Sequence, residues 1–150
     1  MTQDRESNSE TRERLNKMGI DYNEKSFFQC VEQGNVAAVK AFMDAGMDPD
    51  TKNVFDATPL MIASNRGHTG IVQTLLQYGA RVNVKSEDGV TALMAAAYQG
   101  HEDIVRLLLE NGAEVNTRSE SGLTALSAAK SKDHSSIIHL LKDAGAKDLT

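Results

Sequence analysis

Apolar residues along this chain come in pairs, and the pairs return at one spacing. Ala38-Val39, Ile71-Val72, Ile104-Val105 and Ile137-Ile138 follow one another at a step of 33 residues. Leu75-Leu76 is answered at the same step by Leu108-Leu109, Leu60 by Leu93, and Ala63 by Ala96. The polar punctuation keeps the register too. Gly34, Gly67 and Gly100 recur, with Asp133 in the fourth place, and His68, His101 and His134 follow them. Gly46, Gly79, Gly112 and Gly145 form a second series. Shared composition does not hold register over so many positions. The chain repeats a structural unit, in four copies at roughly 21–52, 53–85, 86–118 and 119–150, the inner two regular and the outer two degenerate.

Each unit reads as two short helices and a turn. In the third, Thr91 caps a first helix whose Ala92, Ala95, Ala96 and Ala97 permit close packing. In the second, Thr58-Pro59 places proline at the first helical position, where its missing N–H costs nothing. Gly100 ends the first helix, and His101-Glu102-Asp103 opens the next with acidic residues near the positive end of its dipole. Ile104, Val105, Leu107, Leu108 and Leu109 give that helix a broad apolar face before Asn111-Gly112 stops it. The following "AEVNTRSESG", with its Ser-Gly turn, suits an extended, hairpin-like connection. Neither helix is long enough to be stable alone. Each must bury its apolar face on a neighbouring unit, which predicts an all-α solenoid of stacked helix-turn-helix units.

The period of 33, with "TPLM" and "TALM", then "GH-x-x-IV-x-x-LL" and "GA-x-VN", resembles the ankyrin repeat over roughly residues 22–148. The resemblance implies an ankyrin solenoid whose units are joined by hairpin-like loops. The departures are placed with purpose. Met61, Met94 and Ser127 stand where the family carries histidine after "TPL", the first unit reads "KSFFQC", and the last has Lys130, Ser131, Lys132 and Asp133 at small or glycine positions. End units of a solenoid face water on one side and should be more polar there. Phe27 and Phe28 are expected to thicken the first end. Residues 1–20 are expected to be a flexible segment, with the first eight disordered and a short helix from Ser9 or Thr11 to Gly19. Residues 21–150 are then a single repeat domain.

Composition narrows the picture little. The 150 residues, 40% hydrophobic and 25% charged, suit one domain able to bury about 70% of its extended surface. A net charge of −5 gives no reason to expect nucleic-acid binding. The single cysteine, Cys30, excludes an intramolecular disulfide and a multi-cysteine zinc site. Neither a signal-peptide run nor a membrane-spanning run is present, so the cytoplasm is the expected location and no membrane partner is expected.

The recurrent histidines invite a metal reading, which spacing opposes. Packed helices lie ~8–10 Å apart, whereas zinc–nitrogen bonds are about 2.0–2.1 Å. Residues one unit apart cannot share an ion, so the histidines are expected to bond backbone at the inter-helix turn. Cys30, in register with Ala63, Ala96 and Ala129, reads as a buried, inert thiol. The glycines form no phosphate-cradling loop and the carboxylates no convergent pair. No enzyme, cofactor or metal is expected.

Function is best sought where equivalent positions differ. In ankyrin proteins partners usually bind the concave side, made of loop tips and the outer face of each first helix. The resemblance therefore assigns the tips to Lys52, Val54, Phe55 and Ala57, to Lys85, Glu87, Asp88 and Val90, and to Arg118, Glu120, Ser121 and Leu123. It assigns the helix positions to Glu32-Gln33, Asn65-Arg66, Tyr98-Gln99 and Ser131-Lys132. Phe55 and Tyr98 are aromatic where their register mates are polar, and aromatics and arginine are the usual interface anchors. The expected partner-binding set is Phe55, Arg66, Lys85, Glu87, Asp88, Val90, Tyr98, Gln99, Arg118, Leu123 and Lys132. The expected function is a non-catalytic, monomeric protein-binding module. A regulatory, inhibitory or immunity-type subunit of a larger enzyme system, or a segment detached from one, is the alternative.

Overall fold

A computed structural model describes residues 2–148, with side chains from Ser9 onward inside its first helix. Among the described residues there are nine helices and no strand. Helix α1 (Thr2–Lys17) is followed by four helix pairs: α2 (Glu24–Gln33) with α3 (Val36–Asp44), α4 (Pro59–Arg66) with α5 (Thr69–Gln77), α6 (Ala92–Gln99) with α7 (Glu102–Glu110), and α8 (Ala125–Ser131) with α9 (Ser135–Asp143). First helices pack on first helices and second on second along the stack.

Local chemistry sets the helix ends. Thr58, Thr91 and Thr124 each accept the amide three residues on, from Met61, Met94 and Ser127 at 3.3, 3.3 and 3.0 Å. In the first unit, where no threonine stands in register, Asn23 caps α2 instead, and Asn35, in register with His68, caps α3. Each second helix stops at a glycine with positive φ, and the residue after it donates back to a leucine or phenylalanine carbonyl: Met47 to Phe42, Ala80 to Leu75, Ala113 to Leu108, Ala146 to Leu141. The loops that follow are closed by backbone bonds from Asn53 to Ala57, Ser86 to Val90 and Ser119 to Leu123, and the side chains of Asn53, Ser86 and Ser119 accept the return amides.

The core runs continuously through all four pairs and includes Phe27, Phe42, Leu60, Ile71, Leu75, Leu93, Ile104, Leu108, Leu126 and Ile137. Burying a side chain of this size stabilises by about 1.5–3 kcal/mol.

Helix α1 begins earlier and does more than a short helix from Ser9 would. Its Leu15 is fully buried and Thr11 nearly so, and the helix packs on α3. It also ends as the second helices do, with Gly19 at positive φ and Ile20 donating to the Leu15 carbonyl. It thus takes the place that a preceding unit's second helix would fill. Arg12 lies over the Tyr22 ring at 4.3 Å, Tyr22 stacks on Phe42 with centroids 5.6 Å apart, and Arg14 pairs with Asp44 at 3.3 Å. Asp44 also accepts the Tyr78 hydroxyl, which ties α1, α3 and α5 together. The disorder expected of the first eight residues falls on positions whose side chains lie outside the described ones.

Candidate functional site

The candidate residues lie on the loop tips and the first helices, and the bonds between units fix how these are stacked. The histidines are the first of these. His68, His101 and His134 reach back one unit and donate through Nε2 to the carbonyls of Glu32, Asn65 and Tyr98 at 2.8, 3.1 and 3.0 Å. A carbonyl only accepts, so Nε2 carries the proton. These carbonyls belong to the last turns of first helices, where no helical amide follows to bond them. The backbone partner expected from the sequence is present, and it belongs to the neighbouring unit. Among the described residues, no group of three or more His, Cys, Asp or Glu side chains is placed to hold a metal ion.

The imidazoles lie against the glycines of the preceding unit. A Cβ on Gly34, Gly67 or Gly100 would come within 2.9, 2.6 and 2.7 Å of the ring that follows. Glycine therefore serves twice at these places, for its positive φ and for its missing side chain. Asp133, at the fourth place, needs only the first, and its φ of 57° is one that Asp tolerates.

A second row of bonds was missed in the sequence. Asp50, Asn83 and Asn116 accept the amides of Arg81, Glu114 and Lys147 at 2.9, 2.8 and 2.9 Å. Asn83 and Asn116 also donate to the carbonyls of Gly112 and Gly145. Their period was visible, but short polar residues after a glycine read as turn formers and gave no sign of a bond to another unit.

On this frame the candidate residues are distributed unevenly. Val54 and Phe55 are 91% and 73% exposed, and Tyr98 is 40% exposed. Arg66, Lys85, Glu87, Asp88, Gln99, Arg118 and Lys132 are exposed. Val90 and Leu123 are half-buried and pack on the core, so their side chains close the loops from beneath. Two pairs come together across units: the Lys132 ammonium lies 4.9 Å from the Tyr98 ring centroid, and Gln99 donates to Asn65 Oδ1 at 3.1 Å. The tips of the third and fourth units touch through the Glu120 amide and the Asp88 carbonyl at 3.0 Å. At the tip after α3, Lys52 is paired with Asp56 at 3.3 Å.

The first unit adds a feature absent from the expectations. The outer face of α2 and the tip after it enclose a groove of about 540 Å³, lined by Glu24, Lys25, Phe28, Gln29, Glu32, Lys52, Asn53 and Val54. Phe28, expected to thicken the end of the stack, shares that role with Phe27, whose ring lies 5.8 Å away, yet keeps part of its own ring open to the groove. "KSFFQC" hid this, because its two adjacent phenylalanines read as one apolar block. Phe55 is not among the lining residues and projects beside the groove.

Cys30 is buried, and burial pushes its thiol pKa up, away from the reactive thiolate. No described helix is long and apolar enough to cross a membrane. A family model described as ankyrin repeats, three copies, matches residues 27–119. No curated protein matches the chain.

Proposed function

From the premise that this chain belongs to the ankyrin-repeat family, we propose that it is a non-catalytic module that binds a protein partner through the concave surface of its stack. Ankyrin repeats are generally protein-interaction modules, and the family is typically non-catalytic. The observation that carries the reading is Tyr98. It is a large aromatic ring, 40% exposed on a first helix, with the Lys132 ammonium held against it across units. A ring fixed by a neighbour loses little freedom when a partner covers it, and tyrosine at such a place is a frequent binding anchor. Arg66, Gln99 and Lys132 lie in register around it and supply charge and hydrogen bonds. Phe55 adds an apolar contact, Lys85, Glu87, Asp88 and Arg118 form a polar rim, and Val90 and Leu123 support the loops from below.

The test uses a partner isolated from the native source and then purified. Tyr98→Ala and Arg66→Ala should each weaken its binding by about 1–4 kcal/mol, measured by calorimetry, with unchanged far-UV circular dichroism. Gln73→Ala and Arg106→Ala, on exposed faces of second helices, should leave affinity unaltered. A partner that binds Y98A/R66A as tightly as the wild type would move the interface elsewhere.

A further inference from the structure

Val54 and Phe55 are the most exposed large apolar side chains among the described residues. Their register mates are Glu87-Asp88 and Glu120-Ser121, which water solvates readily. The turn that presents them is held firmly. Asn53 Oδ1 accepts the amides of Phe55 and Ala57 at 2.9 and 3.1 Å, and the Asn53 amide donates to the Ala57 carbonyl at 3.0 Å. The backbone that carries this pair therefore has little conformational freedom left to lose when something covers it.

Beside the projection lies the groove floored by Phe28. Projection and groove meet where the first unit joins the second, with Val54 as their common wall. A surface that meets its own copy about a two-fold axis must carry both on one patch. It must also avoid a single sign of charge, because like charges would face each other. This patch meets both conditions: around the groove, Glu24 and Glu32 are matched by Lys25 and Lys52. The tips of the third and fourth units lack the first, for Glu87-Asp88 and Glu120-Ser121 stand where Val54-Phe55 projects.

We propose that the second unit's tip and the groove it shares with α2 of the first form a two-fold self-association surface, with Phe55 of each chain entering the groove of a second copy. The monomer expected from the sequence is then the dilute state of a monomer–dimer equilibrium. The patch is small, so the dimer is of the weak kind that concentration controls.

Sedimentation velocity of the full chain over an about hundredfold concentration range reads this directly. The wild type should move from the mass of one chain towards that of two. V54E/F55D installs the acidic pair of the third unit's tip (Glu87-Asp88), so the turn is expected to fold, and this variant should remain a single chain throughout. Lys25→Glu leaves the tip intact and makes the groove acidic, and it too should weaken association. Tyr98→Ala should associate as the wild type does. A wild type that stays a single chain throughout overturns the proposal, as does V54E/F55D or K25E associating like the wild type, or growth beyond two chains. No partner protein enters the measurement, so its failure leaves the reading of the concave surface untouched.

Discussion

Ser64 is the residue at which the chain departs most plainly from its own pattern. Its hydroxyl is fully buried without a hydrogen-bond partner, a condition that costs about 1–3 kcal/mol. The register mate in the third unit is Ala97, buried in the equivalent place. Ser64→Ala should therefore hold or raise the unfolding free energy, by up to about 1 kcal/mol, and the thermal midpoint should not fall. A clear fall would show that the hydroxyl bonds a group within the folded protein. Glycine gives a second comparison. Gly67 and Gly112 both have positive φ, +79° and +88°, but only Gly67 faces a histidine ring. Alanine at either place meets the left-handed penalty of roughly 1–2 kcal/mol, and Gly67→Ala must also displace His101. Chemical denaturation should find Gly67→Ala the more harmful; equal losses would mean that the ring yields freely.

At the scale of elements, the tie among α1, α3 and α5 makes a claim about alkaline pH. The hydrogen bond from Tyr78 to Asp44, with burial and the carboxylate's charge adding to it, raises the tyrosine pKa above its usual 10.0. A group with a raised folded pKa contributes stability that is complete below the unfolded value and lost as pH climbs through the folded one. Stability should therefore fall above pH 10 as Tyr78 ionises, and Tyr78→Phe should remove that component from the pH profile of the denaturation midpoint. The eight paired helices were legible in the sequence because their apolar pairs, caps and glycines share one period. Helix α1 was legible only as a short helix ending at Gly19; its earlier start and its packing on α3 were not, because Gly19 lies 27 residues before Gly46, out of step with the period of 33, and Thr11 and Leu15 are its only buried residues among the described side chains. The groove escaped for a related reason: α2 starts at Glu24, behind an asparagine cap that precedes the register position of the threonines. Exposure at Phe55 and Tyr98 could be inferred from register alone. Which candidates touch each other across units depends on side-chain directions that register does not give.

Across the whole molecule, stability rests on contacts between neighbouring units and on no single centre. Leu108, fully buried on α7, tests this: Leu108→Ala should cost ~2–5 kcal/mol in denaturant unfolding, and a loss below about 0.5 kcal/mol would place it at the surface. The bond from each histidine to the carbonyl of the unit before it has a further consequence, for how such a chain can change in length. Removing residues 53–85 brings His101 to Gly34 and to the Glu32 carbonyl, and gives Asp50 the Glu114 amide in place of that of Arg81. Every junction is then remade with the same kinds of atom. A cut that is not a whole number of periods leaves an imidazole without its carbonyl and a glycine without its ring. The shortened chain lacking 53–85 should still melt cooperatively by circular dichroism, at a lower temperature, whereas one lacking 53–80 should not. A gene for this protein can thus gain or shed sequence by recombination in whole periods, and selection would remove the lengths between.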